Sequence, residues 1–219
     1  MISENSIWVY YANLDDLDFE KMQIATCLSA QVKQFATTLI STKQKRYLAC
    51  RYLLALIMQR YFDADILPLM AIGENKKPFF VADNLPHFNI SHSGDYVAVA
   101  VATKGNVGLD IEQQRSRNNF HNIAAQFFSQ TENDWLIAHP KPVDAFWHLW
   151  TLREATLKLY AKGVWQMKQI AIFPETHTIQ APFVEQIFPF YQQVDQIHLS
   201  VCSDHAKSAV FITPITEIY

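Results

Sequence analysis

The sequence predicts an α+β protein of two similar-sized lobes, residues 1–104 and 105–219, and three observations lead there. The chain has 219 residues and is 50% hydrophobic, enough to give one large domain or two small ones a proper core. Each half reads as helices followed by strands. The turn Lys104-Gly105-Asn106 divides the chain into nearly equal parts. No internal repeat relates the halves, and no low-complexity linker separates them.

The elements follow in order. Residues 7–11, rich in aromatic and β-branched side chains, form an opening strand. Helical stretches follow at 18–35 and 42–62, the second introduced by Ser41-Thr42 and running through Leu48, Leu54, Ala55, Met58 and Phe62. Pro68 and the stretch 73–78 break the helical pattern, and strands are expected at 79–82, 88–91, 96–102 and 107–112. A helical stretch at 123–128 precedes Ser129-Gln130-Thr131-Glu132, a capping box that opens a further helix. Pro142 suits the start of a long helix at 143–162, and Gly163 suits its end. The tail alternates turns with strands at 167–173, 178–181, 198–202 and 208–213.

Bulk properties narrow the function. With 18 basic and 21 acidic side chains and a net charge of -3, the chain lacks the basic excess of a general nucleic-acid binder. Cys27, Cys50 and Cys202 are scattered without metal-ligand spacing, as reduced core thiols of an intracellular protein would be. The first residues carry acids and no basic region before an apolar stretch, so no signal peptide is expected. No run of eighteen apolar residues offers a membrane span. A cytoplasmic, soluble protein is the expectation.

Three segments carry chemistry. In the strand Val107-Gly108-Leu109-Asp110-Ile111-Glu112, alternate residues point to opposite faces, so Gly108, Asp110 and Glu112 share one. The two carboxylates then sit roughly 7 Å apart, at a rise of about 3.3 Å per residue. Hard divalent cations favour such oxygen ligands, although a solvent-facing strand edge has the same spacing. In the long helix, Glu154 and Lys158 are four residues apart and share a face, as an ordinary surface pair would. Trp147 and Trp150, near the same stripe, argue against a fully solvated face. In Phe88-Asn89-Ile90-Ser91-His92-Ser93-Gly94, the polar side chains surround a tight turn, and His92 can donate to a phosphate. A serine–histidine nucleophile pair does not fit, because adjacent strand residues point apart. Upstream, Lys76-Lys77-Pro78 is either a phosphate contact or a solvated loop.

Together these segments resemble the Sfp-type 4'-phosphopantetheinyl transferases, over about residues 46–163. The motifs occur in family order: Lys77-Pro78, Phe88 to Gly94, Gly108 to Glu112, Phe127-Phe128-Ser129 with Glu132, and Trp150-Thr151-Leu152-Arg153-Glu154-Ala155. The resemblance implies two α+β subdomains in pseudo-twofold arrangement, with the active site in the cleft between them. It implies transfer of the phosphopantetheine arm of coenzyme A to a serine of an acyl or peptidyl carrier protein, in a monomer that binds neither nucleic acid nor membrane.

By the same resemblance, Asp110, Glu112 and Glu154 hold Mg²⁺ against the coenzyme A pyrophosphate. Arg46, Lys77, Pro78, Ser91 and His92 match coenzyme-contacting positions, Arg46 at the 3'-phosphate. Glu154 is the candidate base, directly or through a metal-bound water, and Lys158 either donates to the departing 3',5'-ADP or stabilises it electrostatically. Arg51 lies roughly 140° round the helix from Arg46 at 3.6 residues per turn, which points to a structural role. Arg153 replaces the usual family lysine and is expected to add positive charge near the phosphates without moving a proton. Residues 113–128 are the expected carrier-docking region, with Phe120, Phe127 and Phe128 as candidates to meet the carrier helix and core packing the expected role for at least Phe127 or Phe128. Two rivals are a non-catalytic coenzyme A or carrier-protein binding relative and an unrelated metal-dependent phosphodiesterase.

Overall fold

Alternating apolar residues and turn formers divide most of the chain into short strands around two long helices. The computed structural model describes residues 5–206 and 208–217, so the outermost ends of the expected lobes lie outside the described residues. Strand β1 (Ser6–Asn13) leads to α1 (Phe19–Ile24), α2 (Ala30–Thr37) and the long α3 (Ser41–Phe62). Then come β2 (Met70–Ile72), β3 (Pro78–Phe80), β4 (His87–Ser93), β5 (Tyr96–Ala102) and β6 (Val107–Gln113). Helices α4 (Phe120–Phe127), α5 (Gln130–Ala138) and α6 (Pro142–Leu159) precede β7 (Ala171–Phe173), β8 (Thr178–Gln180), β9 (Phe188–Val194), β10 (Ile197–Ser203) and β11 (Ala209–Pro214). The chain is mixed α+β, as expected.

The core is layered. The first large sheet runs β11-β1-β5-β4 and the second β6-β10-β9. Their apolar faces meet through Ile7, Val9, Ala98 and Ala100 on one side and Leu109, Ile111, Leu199 and Val201 on the other. The alanines leave no bulk between the sheets, so the larger side chains opposite can fill the layer. Helix α3 covers the far face of the first sheet, and α6 covers the far face of the second. This arrangement brings β4 beside β6.

Several boundaries differ from the sequence reading. The single helix at 18–35 is two helices, because Asp18 caps α1 and Ser29 restarts the chain by accepting from the Val32 amide. Helix α6 ends at Leu159, four residues before Gly163, since Ala161 adopts the left-handed conformation at φ 48°. The expected strand at 167–173 shrinks to β7, and the residues before it form a 3-10 helix. Strands β2 and β9 carried no clear alternation. Pro189 inside β9 is tolerated because β9 is an edge strand, where a missing donor costs no ladder bond. Finally, β11 leaves the second half of the chain to pair in parallel with β1, in register from Ser6↔Ala209 to Tyr11↔Pro214. The division at 104/105 therefore does not describe the first sheet, whose outer strand comes from beyond it. No described helix is long and apolar enough to cross a membrane.

Candidate active site

Three elements converge on the acids. Strand β6 presents Val107, Leu109 and Ile111 to the layer between the sheets, which turns Gly108 and Asp110 toward α6. A Cβ on Gly108 would lie 2.0 Å from the Ala155 carbonyl oxygen and 2.5 Å from the Leu159 nitrogen. Only glycine therefore lets the α6 backbone lie directly on the strand. That close approach puts Glu154 and Lys158 next to Asp110. On the other side, β4 supplies Asn89, Ser91 and Ser93. Asn89 Oδ1 accepts from the Leu109 amide at 2.9 Å, and Ser91 Oγ accepts from the Ile111 amide at 3.2 Å. Side chains of one strand thus satisfy the free backbone donors of the next.

Asp110 is the centre of the cluster. Its Oδ1 accepts from Lys158 Nζ at 2.6 Å and from Ser91 Oγ at 2.9 Å, and Lys158 also donates to Ser91 Oγ at 2.9 Å. Its Oδ2 is buried with no partner. Glu112 accepts from Ser93 Oγ and lies 3.6 Å from Arg115. Burial, followed by the negative Asp110, holds the Glu112 carboxyl above its usual range. Glu154 is pushed up to about 7, by burial first and then by the Asp110 charge, with Glu112 adding to the rise. Three neighbouring carboxylates, two of them (Glu112 and Glu154) held up by burial and by the Asp110 charge, together with an unpartnered buried Asp110 oxygen, suit a divalent cation. As the side chains stand, no three metal-ligating groups among the described residues are gathered closely enough to grip one. The fit lies in the donor set: hard oxygens, with one oxygen of Asp110 left free.

Beside this cluster, Arg46 and His92 line one cavity of about 500 Å³ with Lys43, Tyr47 and Arg51. Arg46 Nη2 donates to the Gly94 carbonyl at 3.3 Å, and its Nε is buried without a partner. The His92 pKa is lowered by desolvation and by positive Arg46 and Lys158. Arg51 also reaches this cavity, with its guanidinium 4.6 Å from the Tyr47 ring centroid. The turn of the helix separates the two Cα atoms, but a long side chain stacked along Tyr47 bridges the angle. Arg51 thus joins Arg46 at one space.

Other expected residues lie elsewhere. Pro78 opens β3, and Lys77 before it turns its ammonium onto two main-chain carbonyls. Arg153 is fully buried, and its Nη2 donates to both Glu132 oxygens at 2.6 Å and to the Ile170 carbonyl at 3.2 Å. The guanidinium packs over Phe128 at 4.2 Å. The expectation of a charge beside the phosphates is therefore overturned: the one-residue step along α6 from Glu154 rotates Arg153 by roughly 100° at 3.6 residues per turn, into the second core. Phe120 and Phe128 are buried in that core as well, and only Phe127 of the three expected docking aromatics stays half-exposed. Two contributors escaped sequence reasoning. Asn89 carried a faint signal, a strand-averse residue inside a strand, whereas Arg115 carried none.

Residues 106–211 match the 4'-phosphopantetheinyl transferase superfamily. YieE of Escherichia coli, a protein described as uncharacterized, is 38% identical over 139 residues, covering 62% of this chain and 56% of that protein. The 4'-phosphopantetheinyl transferase AcpT of Salmonella typhi is 35% identical over 139 residues, 63% of this chain and 68% of its own. AcpT of Escherichia coli is 30% identical over 163 residues, 74% of this chain and 76% of its own. The match thus spans little more than half of YieE and more than two thirds of each transferase. With that coverage, this chain belongs to the 4'-phosphopantetheinyl transferase superfamily.

Proposed function

We propose that this protein transfers the 4'-phosphopantetheine arm of coenzyme A to a serine hydroxyl of an apo acyl or peptidyl carrier protein, releasing 3',5'-ADP. The observation that carries the reading is Asp110, held between Lys158 and Ser91 with Glu112 and Glu154 beside it. We read α3 with the first sheet and α6 with the second as two lobes in pseudo-twofold arrangement, the reaction taking place in the cleft along β4 and β6. The protein acts as a cytoplasmic monomer on this reading.

The residues divide the work. Arg46 and His92 bind the 3'-phosphate in their shared cavity, with Arg51 contributing charge. Ser91 orders Asp110 and Lys158, and Pro78 shapes the turn bordering the coenzyme. Asp110, Glu112 and Glu154 would hold Mg²⁺, which when bound neutralises charge on the pyrophosphate. The carrier serine Oγ attacks the phosphorus that bears the pantetheine arm, and the P–O bond to the ADP unit breaks. Glu154 accepts the serine proton as general base, directly or through a bound water. Lys158 sets its positive charge against the departing 3',5'-ADP. Arg153 gives no reason to favour an inactive relative, since its replacement of lysine serves the second core.

Incubation with labelled coenzyme A, Mg²⁺ and a panel of apo carriers tests the reading. Label on a carrier serine together with free 3',5'-ADP is expected. Coenzyme A binding with no transfer to any carrier would favour the non-catalytic relative, and coenzyme A hydrolysis without a carrier would favour a phosphodiesterase.

A further inference from the structure

Lys77 has a place in the fold that the coenzyme contacts do not explain. Its Nζ donates to the Val107 carbonyl at 3.2 Å and to the Leu159 carbonyl at 3.1 Å. Val107 is the first residue of β6, which carries Asp110 and Glu112, and Leu159 is the last of α6, which carries Glu154 and Lys158. One ammonium group, brought in by the β2–β3 hairpin, ties together the ends of the two elements that bear the acids and the lysine. The last carbonyls of a helix have no partner within it and carry partial negative charge, so a cation is well placed there.

Two further observations point the same way. Asn75 Nδ2 donates to the Ala161 carbonyl at 2.5 Å, so the hairpin grips the end of α6 a second time. Asn75, Lys76 and Ala161 all adopt positive φ, at 46°, 63° and 48°. Left-handed non-glycine residues persist only where their surroundings over-determine them, and here three meet at one joint. Lys77 also lines a different space from Arg46 and His92, a cavity of about 540 Å³ shared with Asn106, Leu159, Tyr160 and Asp204. Burial pushes its pKa down to about 8, against the opposing pull of Asp204.

We propose that Lys77 is a positioning residue, which with Asn75 clamps the last turn of α6 onto β6 so that Lys158 reaches Asp110, and that its ammonium does not bind a coenzyme A phosphate. The proposal rests on the transferase reading above for its effect on turnover, but the clamp itself can be measured without turnover.

The test uses the full chain with Lys77→Met and Lys77→Arg. Loss of the clamp misplaces Lys158, so Lys77→Met should lower kcat at least about tenfold while leaving the KM for coenzyme A within about twofold. Lys77→Arg, which keeps a cation with several donors, should recover most of kcat. In the protein alone, amides of 157–161 should exchange hydrogen at least about tenfold faster in Lys77→Met, with β5 amides unchanged. A raised KM with unchanged kcat would make Lys77 a phosphate ligand and overturn the proposal. Unchanged exchange at 157–161 would overturn the clamp whatever the activity. A wild-type protein that transfers nothing, yet shows the exchange difference, would sink the transferase reading and leave the clamp standing. Should Lys77→Met fail to fold, Asn75→Ala removes the second grip and is read by the same exchange and kinetic measurements.

Discussion

Lys158 Nζ lies 2.6 Å from Asp110 Oδ1, while Oδ2 of the same carboxylate is buried with no partner. Half of the carboxylate is satisfied by the protein and half is left open. An unpartnered buried acceptor is costly, by about 1–3 kcal/mol, and its persistence beside Glu112 and Glu154 marks the point at which a cation would be most welcome.

Asp110→Ala should therefore abolish Mg²⁺-dependent transfer, with kcat/KM falling at least about 100-fold. Lys158 is partly exposed and can turn to solvent when its partner is lost, so the thermal midpoint should move by only about 4 °C or less. Differential scanning calorimetry should also show Mg²⁺ with coenzyme A stabilising the wild type but not the variant. Near-normal turnover in Asp110→Ala would remove it from the metal site.

Arg46→Ala should raise the KM for coenzyme A about 10- to 100-fold, the equivalent of one charge-assisted hydrogen bond. The KM for 3'-dephospho-coenzyme A should barely change, because that substrate lacks the group Arg46 is proposed to hold. Steady-state kinetics on the two substrates decide this, and equal effects would place Arg46 elsewhere.

Arg153→Ala leaves Glu132 charged and wholly buried, at a cost of about 3–5 kcal/mol. Urea denaturation should record that loss, and the fraction still folded should bind coenzyme A with wild-type affinity. Arg153→Lys should also destabilise, since an ammonium cannot reproduce the contacts of the guanidinium with Glu132 and Ile170. Weakened coenzyme A binding at unchanged stability would return Arg153 to the phosphates.

His148 provides a pH signature. Its ring stacks on Tyr191 at 3.7 Å, and burial, assisted by His177, His198 and His139, pushes its pKa down to about 4. The unfolded chain protonates near pH 6.5, well before the folded state does. The contribution to stability is thus fully present above about pH 6.5 and is lost progressively as pH falls toward 4. His148→Phe keeps an aromatic stack without the titration, so its urea midpoint should decline less steeply over that range. Parallel declines would show that His148 contributes nothing to acid sensitivity.

Local sequence placed the acidic side chains better than it placed the sheets. The alternation around Asp110 and Glu112 and the four-residue step from Glu154 to Lys158 follow from strand and helix periods, which are properties of neighbours in the chain. Both patterns survive in the fold. The direction of Arg153 was equally periodic, but reading it required knowing what lies on each side of α6. Lys77 is harder still: its two acceptors are main-chain carbonyls, which leave no trace in residue identity. The pairing of β1 with β11 depends on segments from opposite ends of the described chain, and nothing in 209–214 says which edge it will join.

That last pairing sets an order of events during synthesis. Residues 6–13 leave the ribosome well before 209–214, and one side of β1 has no partner until those later residues have been made. Throughout that interval the nascent chain carries an open strand flank next to Trp8 and Val9, the kind of surface that recruits stray strands. Transcripts broken upstream of Ala209 should accordingly yield insoluble product rather than a shortened soluble chain, and a slow ribosome should make chaperone engagement near β1 longer.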